Sequence, residues 1–175
     1  MTPDILIGFC KGTALLSRII EWFERGGPSH AFALWRSDRP WGGWCTTGSE
    51  WNGWTTEAGE AMDQVVSLLW LPSYDLAVGM AKNRSALNAG YDIGGLLGMS
   101  WVEVGWHWLK RRVRNPLESK RRWFCSEIMA KVCRDSGVPL EIAPGETDPA
   151  TLHDELVRLG AVEITDRAEY PVKWK

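Results

Sequence analysis

The chain has 175 residues, 45% of them hydrophobic and 24% charged, and a formal net charge of -2. That balance is the one of a single globular domain able to bury a core. It excludes an overall basic nucleic-acid binder, and no apolar run reaches the roughly 20 residues of a membrane-spanning helix. The opening Met1-Thr2-Pro3-Asp4 lacks a basic stretch leading into an apolar one, so no secretory signal is expected. The product is therefore expected to be cytoplasmic as synthesised, its final site left open. Four cysteines without a C-x-x-C pair argue for reduced thiols rather than a disulfide scaffold.

In chain order, Asp4 to Cys10 is a short apolar strand ending at Lys11-Gly12. Thr13 can cap a helix whose buried stripe is Leu16, Ile19, Ile20 and Phe23, and Gly26-Gly27-Pro28 breaks it. Ser29 to Trp35 is the next strand. Its alternation sets His30, Phe32 and Leu34 on one face and Ala31, Ala33 and Trp35 on the other.

Residues 41–59 hold two W-x-x-W-x-T-T units, Trp41 to Thr47 and Trp51 to Thr56 with one residue fewer between Trp54 and the threonines. They suggest the arms of a Trp-rich hairpin or a small local duplication. Such tryptophans either pack across strands or form a stacking platform for a flat ligand or sugar ring.

Val65 to Leu71 is a strand closed by Pro72, and Asp75 to Asn88 reads as a helix. Ile93 to Trp108 can also be helical, with Trp101, Val104, Trp108 and Leu109 on one side. The basic cluster from Lys110 to Arg122 follows, with seven basic residues against Glu118, so this segment is +6 and the remainder -8. An aromatic face beside Lys and Arg is the pattern of an interfacial helix, and equally of a solvated loop flanking a core helix. The segment 101–122 is thus a candidate for contact with a membrane surface.

Trp123 to Cys133 begins a further helix, with Ile128, Met129 and Val132 at the spacing of a buried face, and Gly137-Val138-Pro139 stops it. A last helix, capped at Thr147-Asp148-Pro149, runs to Leu159 with Leu152, Leu156 and Leu159 inward. Gly160 ends it and 161–165 is a closing strand. Residues 1–175 are expected to form one α+β domain, with 41–59 and 101–122 as embellishments.

The chemistry that this pattern allows is narrow. His30, His107 and His153 are scattered, and no metal-ligand spacing, G-x-S-x-G elbow, Walker loop or G-x-G-x-x-G occurs. Neither a metal nor a cofactor is expected. What remains is a thiol, Cys125, on the first turn of a helix, where unsatisfied N–H groups and the helix dipole favour a thiolate. His30 opens a strand after a turn, and Glu57 lies on a later strand. A thiol, an imidazole and a carboxylate together form a nucleophile, its base and the group that orients the base.

Ser29-His30 entering a strand, Thr56-Glu57-Ala58, Tyr91-Asp92 before a helix and Phe124-Cys125-Ser126-Glu127 resemble the circularly permuted NlpC/P60 (papain-like) cysteine hydrolases of the YiiX/YebB type. In that group the order is histidine, acid, cysteine, whereas in ordinary papain-like enzymes the cysteine helix precedes the histidine strand. Thr147 to Leu152 also resembles the Pro-x-x-Leu segment that often follows. The resemblance runs from about residue 5 to residue 160 on these short islands.

It implies a small antiparallel sheet or half-barrel packed on helices, with Cys125 as nucleophile, His30 as base and later acid, and Glu57 as orienter. Glu50 and Asp92 are alternatives for the third role, and Glu127 is a first-turn acid complementing the dipole. The Cys125 N–H is a natural oxyanion donor. Tyr91, Trp54 and Trp123 are candidate substrate contacts, although Tyr91 also suits a buried core position. The implied activity is hydrolysis of an amide or ester in a peptide, a peptidoglycan stem or a lipid acyl group through an acyl-enzyme. The alternatives are acyl transfer on the same fold, or a phage or envelope binding or structural module that no longer catalyses. The Trp-rich and basic segments are not features of that family's core.

Overall fold

The computed structural model describes residues 5–11, 26–36, 44–50, 53–58, 64–83, 125–143, 147–166 and 170, the strands 44–50 and 53–58 by their backbone. The expected helices at 13–25 and 93–108, the segment 101–122, Tyr91, Asp92 and Trp123 lie outside the described residues.

Six strands form one antiparallel sheet: β1 (Ile5–Cys10), β2 (His30–Arg36), β3 (Trp44–Glu50), β4 (Gly53–Ala58), β5 (Val65–Trp70) and β6 (Val162–Glu163), in the order β4-β3-β2-β1-β5-β6. Among the described residues three helices accompany them: α1 (Leu76–Lys82), α2 (Cys125–Asp135) and α3 (Pro149–Arg158). The class is α+β.

Strand alternation divides the apolar residues between two faces. Ile7 and Phe9 of β1, Ala31 and Ala33 of β2 and Leu69 of β5 pack with the buried sides of α2 and α3. Leu6, Cys10, Phe32, Leu34, Val65 and Leu68 form a second cluster with Tyr170 on the other face. Because both faces are apolar, β1 and β2 read as nearly continuous hydrophobic runs. The helices take the face with the smaller side chains of β2, since alanines let a helix approach a sheet closely. On the opposite face the Phe32 ring lies over Gly8, where any side chain would overlap it.

The helix boundaries follow from local chemistry. Asp75 caps α1, its Oδ1 accepting from the Ala77 N–H at 3.0 Å. The C-cap of α1 is Asn83, and residues 84–88 of the expected helix lie outside the described residues. Helix α2 stops at Gly137, φ +88°, where the Gly137 N–H donates to the Arg134 carbonyl and the Val138 N–H to the Cys133 carbonyl. Helix α3 starts at Pro149 after Asp148, whose Oδ1 accepts from the Thr151 N–H at 2.7 Å, and it stops at Gly160, φ +89°. The closing strand is only Val162–Glu163, both residues exposed.

Two contacts fix the direction of α2. Its C-terminal half lies against α1 so closely that a side chain at Gly79 would overlap the Val132 carbonyl. The Gly79 N–H donates to Ser136 Oγ at 3.1 Å, and the Asn83 amide donates to the Gly79 carbonyl and to Asp135 Oδ2 at 2.8 and 2.7 Å. At the other end, the Ser126 hydroxyl donates to the Thr147 carbonyl at 2.6 Å, just ahead of α3. Since α1 follows the end of β5, α2 runs back along the sheet with Cys125 at the end where β1 finishes and β2 begins.

Candidate active site

Cys125 is the first residue of α2 and is 2% exposed. It packs in the core cluster with Phe9, Ala31 and Ala33. The start of a helix supplies the N–H groups and dipole end that stabilise a thiolate. Glu127, two residues on, keeps the first-turn place expected of it but is also buried, at 2% exposure. Cys133, two turns further along the same helix, shows the opposite setting: burial pushes its thiol up to about 12. Cys10, Cys125 and Cys133 are thiols rather than half-cystines.

His30 opens β2 as expected and is partly buried. It pairs with Cys10, and the ladder runs without a break from there to Ile5–Trp35. The pleat therefore sets His30 on the face of Cys10, Phe32 and Leu34, whereas α2 lies on the face of Ala31 and Ala33. Thiol and imidazole belong to the same end of the sheet and to opposite faces of it. Burial lowers the His30 pKa to about 4, so the ring is neutral near pH 7. A carboxylate within reach would act in the opposite sense, by favouring the imidazolium.

Of the hairpin expected over 41–59, the described strands β3 and β4 pair antiparallel, with Glu50 opposite Gly53. Its register sets Ser49 opposite Trp54, so Trp54 has no tryptophan directly across the β3–β4 ladder. Glu57 does lie on β4, but β3 intervenes between β4 and β2. Glu57 pairs with Thr46, which pairs with Leu34, so Glu57 is level with Leu34 and not with His30. Two strand spacings of about 4.8 Å and four residues of about 3.3 Å each separate the Glu57 and His30 Cα atoms by roughly 16 Å. By backbone register, therefore, Glu57 is level with a position four residues along β2 from His30. The β2–β3 ladder spans only Leu34 to Arg36, so it does not relate Glu50 to His30.

Sequence reasoning passed over one imidazole. His153, on α3, shares the helix-bearing face with Cys125. Its Nε2 is 3.3 Å from Ser67 Oγ and its Nδ1 3.1 Å from Asp154 Oδ1, and its ring meets Phe9 edge-on at 5.1 Å between centroids. The signal for it was the i, i+1 and i-1 relation to Leu152 and Asp154 on an amphipathic helix, which tells that it flanks a buried stripe but not which strand it meets.

Among the described residues no cluster of three or more His, Cys, Asp or Glu could hold a metal ion. No described helix is long and apolar enough to cross a membrane. Comparisons with protein-family models, with curated proteins and with solved structures found no match.

Proposed function

We propose that the chain is a cysteine hydrolase on a papain-like core of permuted order, with Cys125 as nucleophile and His30 as its base. What supports this reading is that the first turn of α2 and the start of β2, 95 positions apart in the sequence, belong to the same end of one antiparallel sheet, Ser126 being bonded to the Thr147 carbonyl ahead of α3 and His153 of α3 meeting Phe9. The Cys125 sulfur would attack the carbonyl carbon of an amide or ester, its proton passing to the imidazole. The tetrahedral oxyanion would be held by the N–H groups at the start of α2. Collapse to a thioester would expel the amine or alcohol, which takes the proton from the imidazolium. Water, deprotonated by the same ring, would then release the acid and restore the thiol. A peptide, peptidoglycan stem or lipid acyl group remains the substrate class, and an acceptor other than water would make the same site an acyltransferase. Glu57, Glu50 and Asp92 remain the carboxylates considered for orienting the ring.

A second reading is favoured by one observation. With the imidazole on the face away from α2 and the thiol buried, the same fold would serve as a binding or structural module without catalysis. An active-site-directed acyl probe, such as a fluorophosphonate-free activated thioester, separates the two. Under the first reading Cys125 is acylated in the native protein, and the acylation is lost in Cys125→Ser and in His30→Ala. Loss in His153→Ala with retention in His30→Ala would move the base to α3, and absence of acylation under native conditions would favour the module.

A further inference from the structure

Strand β5 carries one hydroxyl, Ser67, among apolar residues: Val65, Leu68 and Leu69 are fully buried, and Ser67 itself is buried. A buried hydroxyl needs a partner, and this one finds it on α3. His153 Nε2 lies 3.3 Å from Ser67 Oγ, and His153 Nδ1 lies 3.1 Å from Asp154 Oδ1. Phe9, which pairs with Ser67 across the β1–β5 ladder, meets the imidazole edge-on with ring centroids 5.1 Å apart. Being fully buried, it backs the imidazole from the sheet.

These contacts fix where the protons stand. A carboxylate only accepts, so Nδ1 carries the ring proton and donates it to Asp154. In the neutral ring Nε2 is then bare, and the Ser67 hydroxyl donates to it. Hydroxyl to Nε2 and Nδ1–H to carboxylate is the order in which an imidazole activates a serine. A clasp that merely held α3 to β5 would be served by either ring nitrogen, whereas activation of the hydroxyl needs this arrangement. The hydroxyl is recessed, and the cluster opens to solvent along the imidazole and the carboxylate, whose side chains are 28% and 85% exposed.

We propose that Ser67, His153 and Asp154 form a second nucleophilic centre, an esterase site for short acyl groups, on the helix-bearing face of the sheet. The Ser67 oxygen attacks the ester carbonyl carbon as its proton passes to His153 Nε2. The bond from that carbon to the alcohol oxygen breaks, and the alcohol leaves with the proton. Water, deprotonated by the same nitrogen, then releases the acid and restores the hydroxyl. Asp154 holds the ring in the tautomer that leaves Nε2 bare. The recessed position of the hydroxyl limits the acyl group to a slender one. The proposal goes beyond the Cys125 reading and does not rest on it, since neither that thiol nor His30 takes part.

The test is reaction of the full chain with diisopropyl fluorophosphate, a compact electrophile that modifies activated hydroxyls, followed by peptide mass spectrometry. Ser67 is expected to be modified in the native protein, and faster than any other serine. His153→Gln, which keeps an amide able to bond to Ser67, is expected to slow the modification about a hundredfold or more. Asp154→Asn is expected to slow it less, because solvent screens an exposed carboxylate. Cys125→Ser and His30→Gln are expected to react as the parent does, so failure of the Cys125 reading leaves this result untouched. In the Cys125→Ser background, hydrolysis of para-nitrophenyl acetate is expected to be lost with Ser67→Ala. The proposal is overturned if Ser67 stays unmodified in the folded protein, if it reacts at the parent rate in folded His153→Gln, or if ester hydrolysis in that background survives Ser67→Ala unchanged.

Discussion

Cys125 and His30 occupy one end of the sheet but opposite faces of it, the thiol in the cluster of Ala31 and Ala33 and the imidazole on the side of Cys10 and Phe32. For the proposed chemistry, the ring at the first position of β2 must turn past the strand end to meet the sulfur. Along residues 30–33 the side of β2 away from β1 lies beyond the Leu34–Arg36 ladder to β3, so the turn is made at the margin of that pairing.

The His30 environment gives a pH signature. A folded pKa of about 4, below the unfolded value near 6.5, means that the unfolded chain binds the extra proton between these values. The contribution is fully present above about pH 6.5, is lost as pH falls toward 4, and amounts to at most about 3 kcal/mol, less for the partial exposure of the ring. Urea unfolding at pH 7.5 and pH 5 should show a larger drop in the parent than in His30→Gln. Equal drops would place the titration elsewhere.

Cys133 should be inert in the folded protein. With its thiol pushed up to about 12 and its side chain fully buried, it carries almost no thiolate at neutral pH. Alkylation read by peptide mass spectrometry should leave Cys133 unmodified under native conditions and modify it in denaturant.

Gly79→Ala should destabilise the α1–α2 contact. The added methyl would overlap the Val132 carbonyl, which is backbone and cannot rotate away. Overpacking of this kind costs about 1–3 kcal/mol, to be measured as a fall in the denaturation midpoint with an unchanged slope. Gly137→Ala has open space around it and should cost less, through its positive φ alone.

Ser126→Ala should loosen the base of the candidate site. It removes the donor to the Thr147 carbonyl in a buried setting, at a cost of about 1–3 kcal/mol. Because this bond ties the first turn of α2 to the approach to α3, acylation of Cys125 should fall more steeply than stability does.

The local architecture was legible because each piece has its own signal. The strands at 5–10, 30–36 and 65–70, the Trp-rich hairpin, the Asp148-Pro149 helix start and the stops at Gly137 and Gly160 all follow from alternation, capping and positive φ. The buried face Ile128, Met129 and Val132 followed from its spacing. What could not be read was the choice between faces. Alternation separates His30-Phe32-Leu34 from Ala31-Ala33-Trp35, but both sets are apolar enough to be buried, and only packing decides that the helix takes the alanines. The same holds for Glu57: its place on a strand was legible, its level across two ladders was not, because register depends on where the β2–β3 pairing starts.

The central claim, an activated thiol at Cys125 coupled to His30, is tested most directly by the pH dependence of Cys125 alkylation in the native parent and in His30→Gln. The account predicts a thiolate that titrates well below the ordinary value near 8.5 in the parent and moves upward in the variant. A Cys125 that titrates at or above 8.5, and does so identically with and without the imidazole, would contradict it.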